Sequence, residues 1–217
     1  MIDTVLFDFD GTIMNTAPVI IASWQHAFRT LQGREESEDI IYASFGEPLE
    51  VTAARFFPEV PVEESVECYR SFHQDRFIGM IELFPGMREA VLAVREAGCR
   101  TGLVTSRVKT TTYRGLEAFD LLRLMDTVVT VNDCPAHKPD PGPALMALKA
   151  LGSDPKHTMM LGDTRFDLGC ARNAGCKAVL VDWAVSLDPA SLTEEEKPDA
   201  VLKDPAKITD LLTFWEE

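Results

Sequence analysis

Short apolar runs bounded by turn residues recur along the chain, at Thr4 to Phe7, Gly102 to Val104, Thr127 to Val131, Thr158 to Leu161 and Ala178 to Val181, with a shorter sixth at Ala200 to Leu202. Runs of this length read as buried strands. Each of the first four is followed by a longer segment of helical spacing, such as Met87-Val91-Val94 with Leu92, or Leu145-Leu148-Leu151. Strands that alternate with helices build a parallel sheet, because parallel neighbours need a crossover between them.

The alternation breaks between about Asn15 and Pro85, where aromatic-rich helical patterns run from Val19 to Leu31, Val51 to Phe57 and Val62 to Phe77. The expected architecture is therefore α/β, a Rossmann-like parallel-sheet core formed by residues 1–14 and 86–217, with an inserted all-helical cap at residues 15–85. The insert follows the first strand directly, so it is expected to rise from the C-terminal edge of the sheet, where open α/β sheets bind ligands, and to cover the site.

Composition narrows the partners. The 217 residues are expected to form one folded unit with a subdomain, and 46% hydrophobic with 26% charged residues is ample for a core. A net charge of -14 and a pI near 4.7 exclude nucleic acid as an expected partner and disfavour anionic membranes. An anionic ligand must be drawn in locally, by a metal ion, a lysine or a helix N-terminus. No apolar run approaches the ~20 residues that span a bilayer, and Met1-Ile2-Asp3 enters a strand with no leader pattern, so a cytoplasmic location is expected. Five widely spaced cysteines, Cys68, Cys99, Cys134, Cys170 and Cys176, suit neither a disulfide framework nor zinc and read as packing. Glu194-Glu195-Glu196 reads as a solvated helix face.

The chemistry-bearing residues stand at strand ends. The first strand delivers Asp8-Phe9-Asp10-Gly11-Thr12, with two carboxylates on the same side of an extended chain. Such a pair repels itself unless a cation sits between the groups or one holds a proton, which points to metal binding or acid/base work; an Asp- and Gly-rich turn is the plain alternative. Leu161-Gly162-Asp163-Thr164-Arg165-Phe166-Asp167 ends another run with acids at a helix start, as metal ligands or as caps. Three carboxylates suit Mg²⁺, which prefers hard oxygen ligands. Thr105-Ser106-Arg107 ends the second run with a hydroxyl pair fit to donate to a phosphate or to cap the next helix. Lys138 lies in His137-Lys138-Pro139-Asp140-Pro141, where two prolines stiffen the loop that aims its ammonium.

In order, spacing and strand-end position these segments resemble the four motifs of the haloacid dehalogenase superfamily of phosphohydrolases: Asp8-Phe9-Asp10-Gly11-Thr12, Thr105, Lys138, and Gly162-Asp163 with Asp167. The resemblance covers nearly the whole chain. It implies that Asp8 is the nucleophile and Asp10 the general acid/base. It further implies that Asp8, the backbone carbonyl of Asp10 and Asp163 hold Mg²⁺, with Asp167 binding directly or supporting the site. Thr12, Ser106 and Arg107 are candidate substrate contacts beside those motifs, and His26, Arg70 and His73 are candidate contacts from the insert.

The residue types fit that chemistry in their own right. A carboxylate attacking phosphorus forms an aspartyl-phosphate, a second carboxylate moves protons to the leaving oxygen and from water, and Lys138 and the Thr105 hydroxyl offset phosphoryl charge. Dehalogenases of the superfamily lack an acid/base at the position of Asp10. Phosphonate-cleaving relatives use a cap lysine, and no lysine lies between Gly11 and Arg107. A sugar-phosphate mutase of the same fold, and a non-catalytic binding or regulatory protein, are the alternatives.

Asn15-Thr16-Ala17-Pro18, Phe45-Gly46-Glu47-Pro48-Leu49 and Cys68-Tyr69-Arg70-Ser71-Phe72-His73 look most like the phosphoglycolate phosphatase and cytoplasmic pyrophosphatase branch. Two departures stand out: Asn15 where many relatives have Asp, and Gly142 where many have Glu. The expected substrate is a small phosphorylated metabolite or pyrophosphate.

Overall fold

The computed structural model describes residues 1–184, 187 and 189–215. Its elements in chain order are β1 (Thr4–Phe7), β2 (Met14–Asn15), α1 (Ala17–Gln32), α2 (Glu38–Tyr42), α3 (Leu49–Phe56), α4 (Val62–Arg76), β3 (Glu82–Leu83), α5 (Met87–Glu96), β4 (Arg100–Val104), α6 (Lys109–Ala118), β5 (Thr127–Val129), α7 (Gly142–Leu151), β6 (Thr158–Gly162), α8 (Arg165–Asn173), β7 (Lys177–Val181) and β8 (Ala200–Leu202). The chain divides into two compact units, Met1–Asn15 with Leu83–Glu217, and Thr16–Glu82.

The first unit is a six-stranded sheet in the order β5-β4-β1-β6-β7-β8, parallel throughout. Phe7 lies opposite Leu103 on one side and Leu161 on the other. The chain therefore winds away from β1 in both directions, and β1 is the switch point where the carboxyl ends of three strands flank one crevice. The next residues are Asp8 after β1, Thr105 after β4 and Asp163 after β6. Strands buried on both faces read as near-continuous apolar runs, and β1, with Val5, Leu6 and Phe7 fully buried after Thr4, is one.

Two details depart from the sequence reading. The third strand stops at Val129 rather than Val131, because the Asp133 carboxylate accepts from both the backbone N–H and the hydroxyl of Thr130, at 2.9 and 2.6 Å, and turns the chain. On α7 the Leu145-Leu148-Leu151 spacing faces inward only in part: Leu145 is 43% exposed, Leu148 is buried with Ala144 and Ala147, and Leu151 packs against the same cluster. Small side chains let that helix lie close on the sheet.

The second unit holds α1 to α4. Their apolar stripes meet around Trp24, Phe28, Ile41, Phe56, Phe57 and Tyr69. The Trp24 ring stands edge-on to Phe56 at 5.1 Å, and Phe28 meets Phe57 at 4.8 Å, separations at which aromatic pairs attract beyond their burial. Proline in the first turn of α1 and left-handed Gly33 after its last mark the ends of the longest of these helices. The strands β2 and β3, where the chain leaves and regains the first unit, pair as a two-residue ribbon too short to leave a periodic signal.

Phe57 is fully buried in this aromatic cluster, so Phe57→Ala should cost about 3–5 kcal/mol of stability. A urea midpoint that shifts by far less at unchanged slope would contradict the packing described.

Candidate active site

The loop after β1 begins as an extension of the sheet, with the Asp8 N–H donating to the Leu161 carbonyl at 2.9 Å. It then turns sharply: the N–H groups of Ile13 and Met14 both donate to the Phe9 carbonyl. Gly11 sits at the tip with φ +70°, and a Cβ there would stand 2.0 Å from Oδ2 of Asp163. Only glycine permits both the left-handed backbone and the approach of that carboxylate. Thr12 faces the same group, its hydroxyl 3.5 Å from Asp163 Oδ1, and its carbonyl accepts from the Trp183 indole N–H at 3.1 Å.

Asp167 is fixed by its own helix. In a capping box at the start of α8, its Oδ2 accepts from the Thr164 N–H at 3.1 Å and the Thr164 hydroxyl at 2.6 Å, while the Asp167 N–H donates back to that hydroxyl. Its Oδ1 accepts from the Lys138 ammonium. Both oxygens are thus partnered within the protein.

Lys138 is the hub. Its ammonium, 5% exposed, also donates to Asp8 Oδ1 at 2.7 Å and to the Val104 carbonyl at 3.3 Å. The loop that presents it, with a cis Lys138–Pro139 bond, is clamped to α8: the Asn173 amide donates to the Pro139 carbonyl at 2.9 Å, and Gly169 leaves room for the Pro139 ring, which a Cβ would meet at 2.7 Å. Past the lysine, Asp140 accepts from the Gly142 N–H at 2.7 Å, and a Cβ on Gly142 would crowd Asp140, Ala136 and Cys134. The departure at Gly142 belongs to this tight turn. Sequence spacing gave no signal for Gly169 or Asn173, which act from some 30 residues away in the chain.

Asp8, Asp163 and Asp167 are all buried, with ligand oxygens within 4.8 Å of one another. Three carboxylates against one ammonium leave two negative charges in a buried space. The Asp8 carboxyl feels this: burial, joined by the charges of Asp167 and Asp10 and opposed by Lys138, pushes its pKa up to about 7. Burial works to lower the Lys138 ammonium, but Asp167 and Asp8 outweigh it and hold its pKa above the ordinary lysine value. A hard divalent cation supplies the two missing positive charges, and the all-oxygen donor set fits one.

On the far side of Asp8, the Thr105 N–H extends β4 by donating to Val129 at 3.0 Å, and the Thr105 hydroxyl accepts from the Arg107 N–H at 3.1 Å, keeping its own proton to donate. It caps no helix: α6 begins after Val108, and its first N–H goes to the Asn132 side chain at 2.9 Å. Ser106 is exposed. The Arg107 guanidinium points at Asp10 and grips both its oxygens, Nε to Oδ2 at 3.1 Å and Nη2 to Oδ1.

The three residues singled out in the insert lie in the helical unit, in different settings. His73 is 5% exposed, bonded through Nδ1 to the Ser23 hydroxyl at 3.2 Å and set between the rings of Tyr69 and Phe77. Because Ser23 gives its own proton to the Val19 carbonyl, the histidine is the donor in that bond. His73 thus lies packed between α1 and α4. His26 stacks on Phe72 at 4.6 Å, and Arg70 pairs with Glu50 at 2.9 Å on the surface.

A family model described as haloacid dehalogenase-like hydrolase matches residues 5–181, which include Asp8, Asp10, Thr105, Lys138, Asp163 and Asp167. The chain belongs to the haloacid dehalogenase-like hydrolase family. It is a phosphohydrolase of that family. A pyrophosphatase of Bacillus mycoides is 34% identical over 211 residues, 97% of this chain and 95% of the relative. The fold is also that of a crystal structure described as a predicted phosphoglycolate phosphatase from Haemophilus somnus 129PT, with TM-score 0.83, 22% identity and 97% of each chain covered. It is shared also with a protein from Thermotoga maritima described as a β-phosphoglucomutase, with TM-score 0.77, 23% identity, and 99% and 100% covered. Among the described residues no helix is long and apolar enough to cross a membrane.

The raised Asp8 carboxyl fixes a sign. Folded, it holds a proton up to about pH 7, whereas unfolded it gives it up near 3.8, so its contribution to stability is lost as pH rises through that window. The chelator-treated protein should therefore melt lower at pH 7.5 than at pH 5.5, millimolar Mg²⁺ should raise the melting temperature more at pH 7.5, and Asp8→Asn should flatten both trends. A metal gain equal at the two pH values would contradict it.

Proposed function

We propose that this phosphohydrolase is Mg²⁺-dependent and cleaves pyrophosphate or a small phosphate monoester through a phosphorylated Asp8. The observation that carries the reading is the placement of Asp8 at the switch point of the sheet, buried beside Asp163, Asp167 and Lys138. An Oδ atom of Asp8 attacks phosphorus, and the bond from phosphorus to the leaving oxygen breaks as Asp10 gives that oxygen a proton. Water then attacks the acyl phosphate, Asp10 takes the water's proton, and the Asp8 carboxylate is regenerated.

Lys138 holds Asp8 in place and neutralises charge on the phosphoryl oxygens, and the Thr105 O–H donates to one of them. Asp8, Asp163 and the Asp10 carbonyl would hold Mg²⁺, with Asp167 supporting them through Lys138 and the helix cap. When bound, the ion supplies positive charge against the oxygens of the transferring group.

A small substrate is favoured by the state of four of the helical unit's five arginines, Arg76 lying over the Phe72 ring instead. Arg29, Arg34, Arg55 and Arg70 each pair with a glutamate, at 2.6 to 2.9 Å. A mutase must grip a second, distal phosphate, and cations already paired with carboxylates are poor candidates for that. The pyrophosphate reading draws its support from the relative that carries that name at 34% identity.

Phosphate release from pyrophosphate, 2-phosphoglycolate and sugar phosphates, with Mg²⁺ and after exhaustive chelation, tests the reading. Chelation should abolish release, and Asp8→Asn, which removes a nucleophile and almost no volume, should lower turnover by more than about 10³-fold while the fold persists. An Asp8→Asn chain that keeps more than a few per cent of the activity would end the covalent mechanism.

A further inference from the structure

Arg107 is not built like a substrate ligand. Its side chain is 8% exposed, its Nε and Nη2 meet the two oxygens of Asp10 in a bidentate pair, and its Nη1 lies 3.5 Å from the Thr111 hydroxyl. The guanidinium carbon sits 5.5 Å from the centre of the Phe9 ring. The backbone is pinned as well, its N–H on the Thr105 hydroxyl at 3.1 Å and its carbonyl accepting from Val131 at 3.2 Å. A ring on one side, a hydroxyl on another and a carboxylate in the fork fix the guanidinium in one place, and the fork faces Asp10.

Asp10 is the more exposed of the two carboxylates that follow β1. It stands one residue before the left-handed Gly11 in the turn after β1, and its side chain is 29% exposed, against 7% for that of Asp8. Lys138, which fixes Asp8 and Asp167, makes no hydrogen bond to it. A proton-transfer group works only when its oxygen lies within hydrogen-bond reach of the atom it serves, and a misplacement of about 1 Å costs on the order of 10²-fold. The two-point grip of a planar guanidinium sets both the position and the rotation of a carboxylate, which a single-point contact does not.

We infer that Arg107 is a positioning residue for the Asp10 carboxylate, acting on proton transfer to the leaving group and not on substrate binding. The inference rests on the proposed acid/base role of Asp10. It replaces the expectation of Arg107 as a substrate contact.

The test compares Arg107→Met and Arg107→Lys with the parent chain on three esters. Glycerol 2-phosphate has a basic alkoxide leaving group and no further anion, 2-phosphoglycolate adds a carboxylate, and p-nitrophenyl phosphate has a leaving group that departs without a proton. The expected result for Arg107→Met is a fall in kcat/KM of about 10- to 100-fold on both alkyl esters and of only a few-fold on the aryl ester. Arg107→Lys, which keeps the charge and loses the fork, should recover only part of it. A loss confined to 2-phosphoglycolate would make Arg107 a substrate ligand, and an equal loss on all three would make it merely structural; either overturns the inference.

A readout independent of turnover separates this claim from the hydrolase reading. The Arg107 Nε–H resonance, assigned by its disappearance in Arg107→Lys, should shift in Asp10→Asn. Inactivity of the parent on every ester would overturn the proposed function itself, whereas an unmoved resonance in an active enzyme would overturn the clamp alone.

Discussion

The contact on which the rest of the site depends is the one between the Lys138 ammonium and the carboxylates of Asp8 and Asp167. Moving a carboxylate out of water costs several kcal/mol, and this fold buries three within 4.8 Å of one another. One ammonium joins two of them directly, and the glycines around it are the spaces that let the charged groups close in. Gly11 yields to Asp163, Gly162 lies where a Cβ would strike Asp167 at 2.1 Å, and Gly169 yields to the loop that carries the lysine. The compensation is incomplete by two charges. Burial with that deficit raises the Asp8 carboxyl and makes the site fit for a divalent cation.

The same arrangement assigns the carboxylates different work. Asp167 has both oxygens engaged by its helix cap and Lys138, so it orients. Asp163 faces Gly11 and Thr12 at the end of β6, poised for a cation. Asp8, at the switch point, accepts from the Lys138 ammonium. Asp10, one alternation further along the chain, is more exposed and belongs to Arg107. On the proposed reading, four acids at the ends of two neighbouring strands, β1 and β6, would thus take distinct roles from their neighbours and not from their own chemistry.

Much of this was legible in the sequence for a physical reason. Buried parallel strands are near-continuous apolar runs, which made β1, β4, β6 and β7 visible as short runs, and the residues that end such strands face the crevice by topology. The strand-end positions of Asp8, Thr105 and Asp163 followed from that, whereas the roles expected of them came from the resemblance to the haloacid dehalogenase motifs. What stayed hidden depends on encounters between distant segments. The tilt that exposes Leu145 and buries Ala144 is set by the sheet beneath α7, the anchoring of the lysine loop by Gly169 and Asn173 crosses a strand and a helix, and His73 carries the same letter whether it meets substrate or fills a helix interface.

The central claim is that Asp8 itself becomes phosphorylated, and borohydride reduction during turnover tests it most directly. An acyl phosphate is reduced to the alcohol, so the enzyme quenched while processing pyrophosphate or a phosphate ester should yield a peptide with homoserine in place of Asp8, absent without substrate. Homoserine at Asp10 or Asp163, or an unreduced Asp8 in a chain that is turning over, would contradict the account.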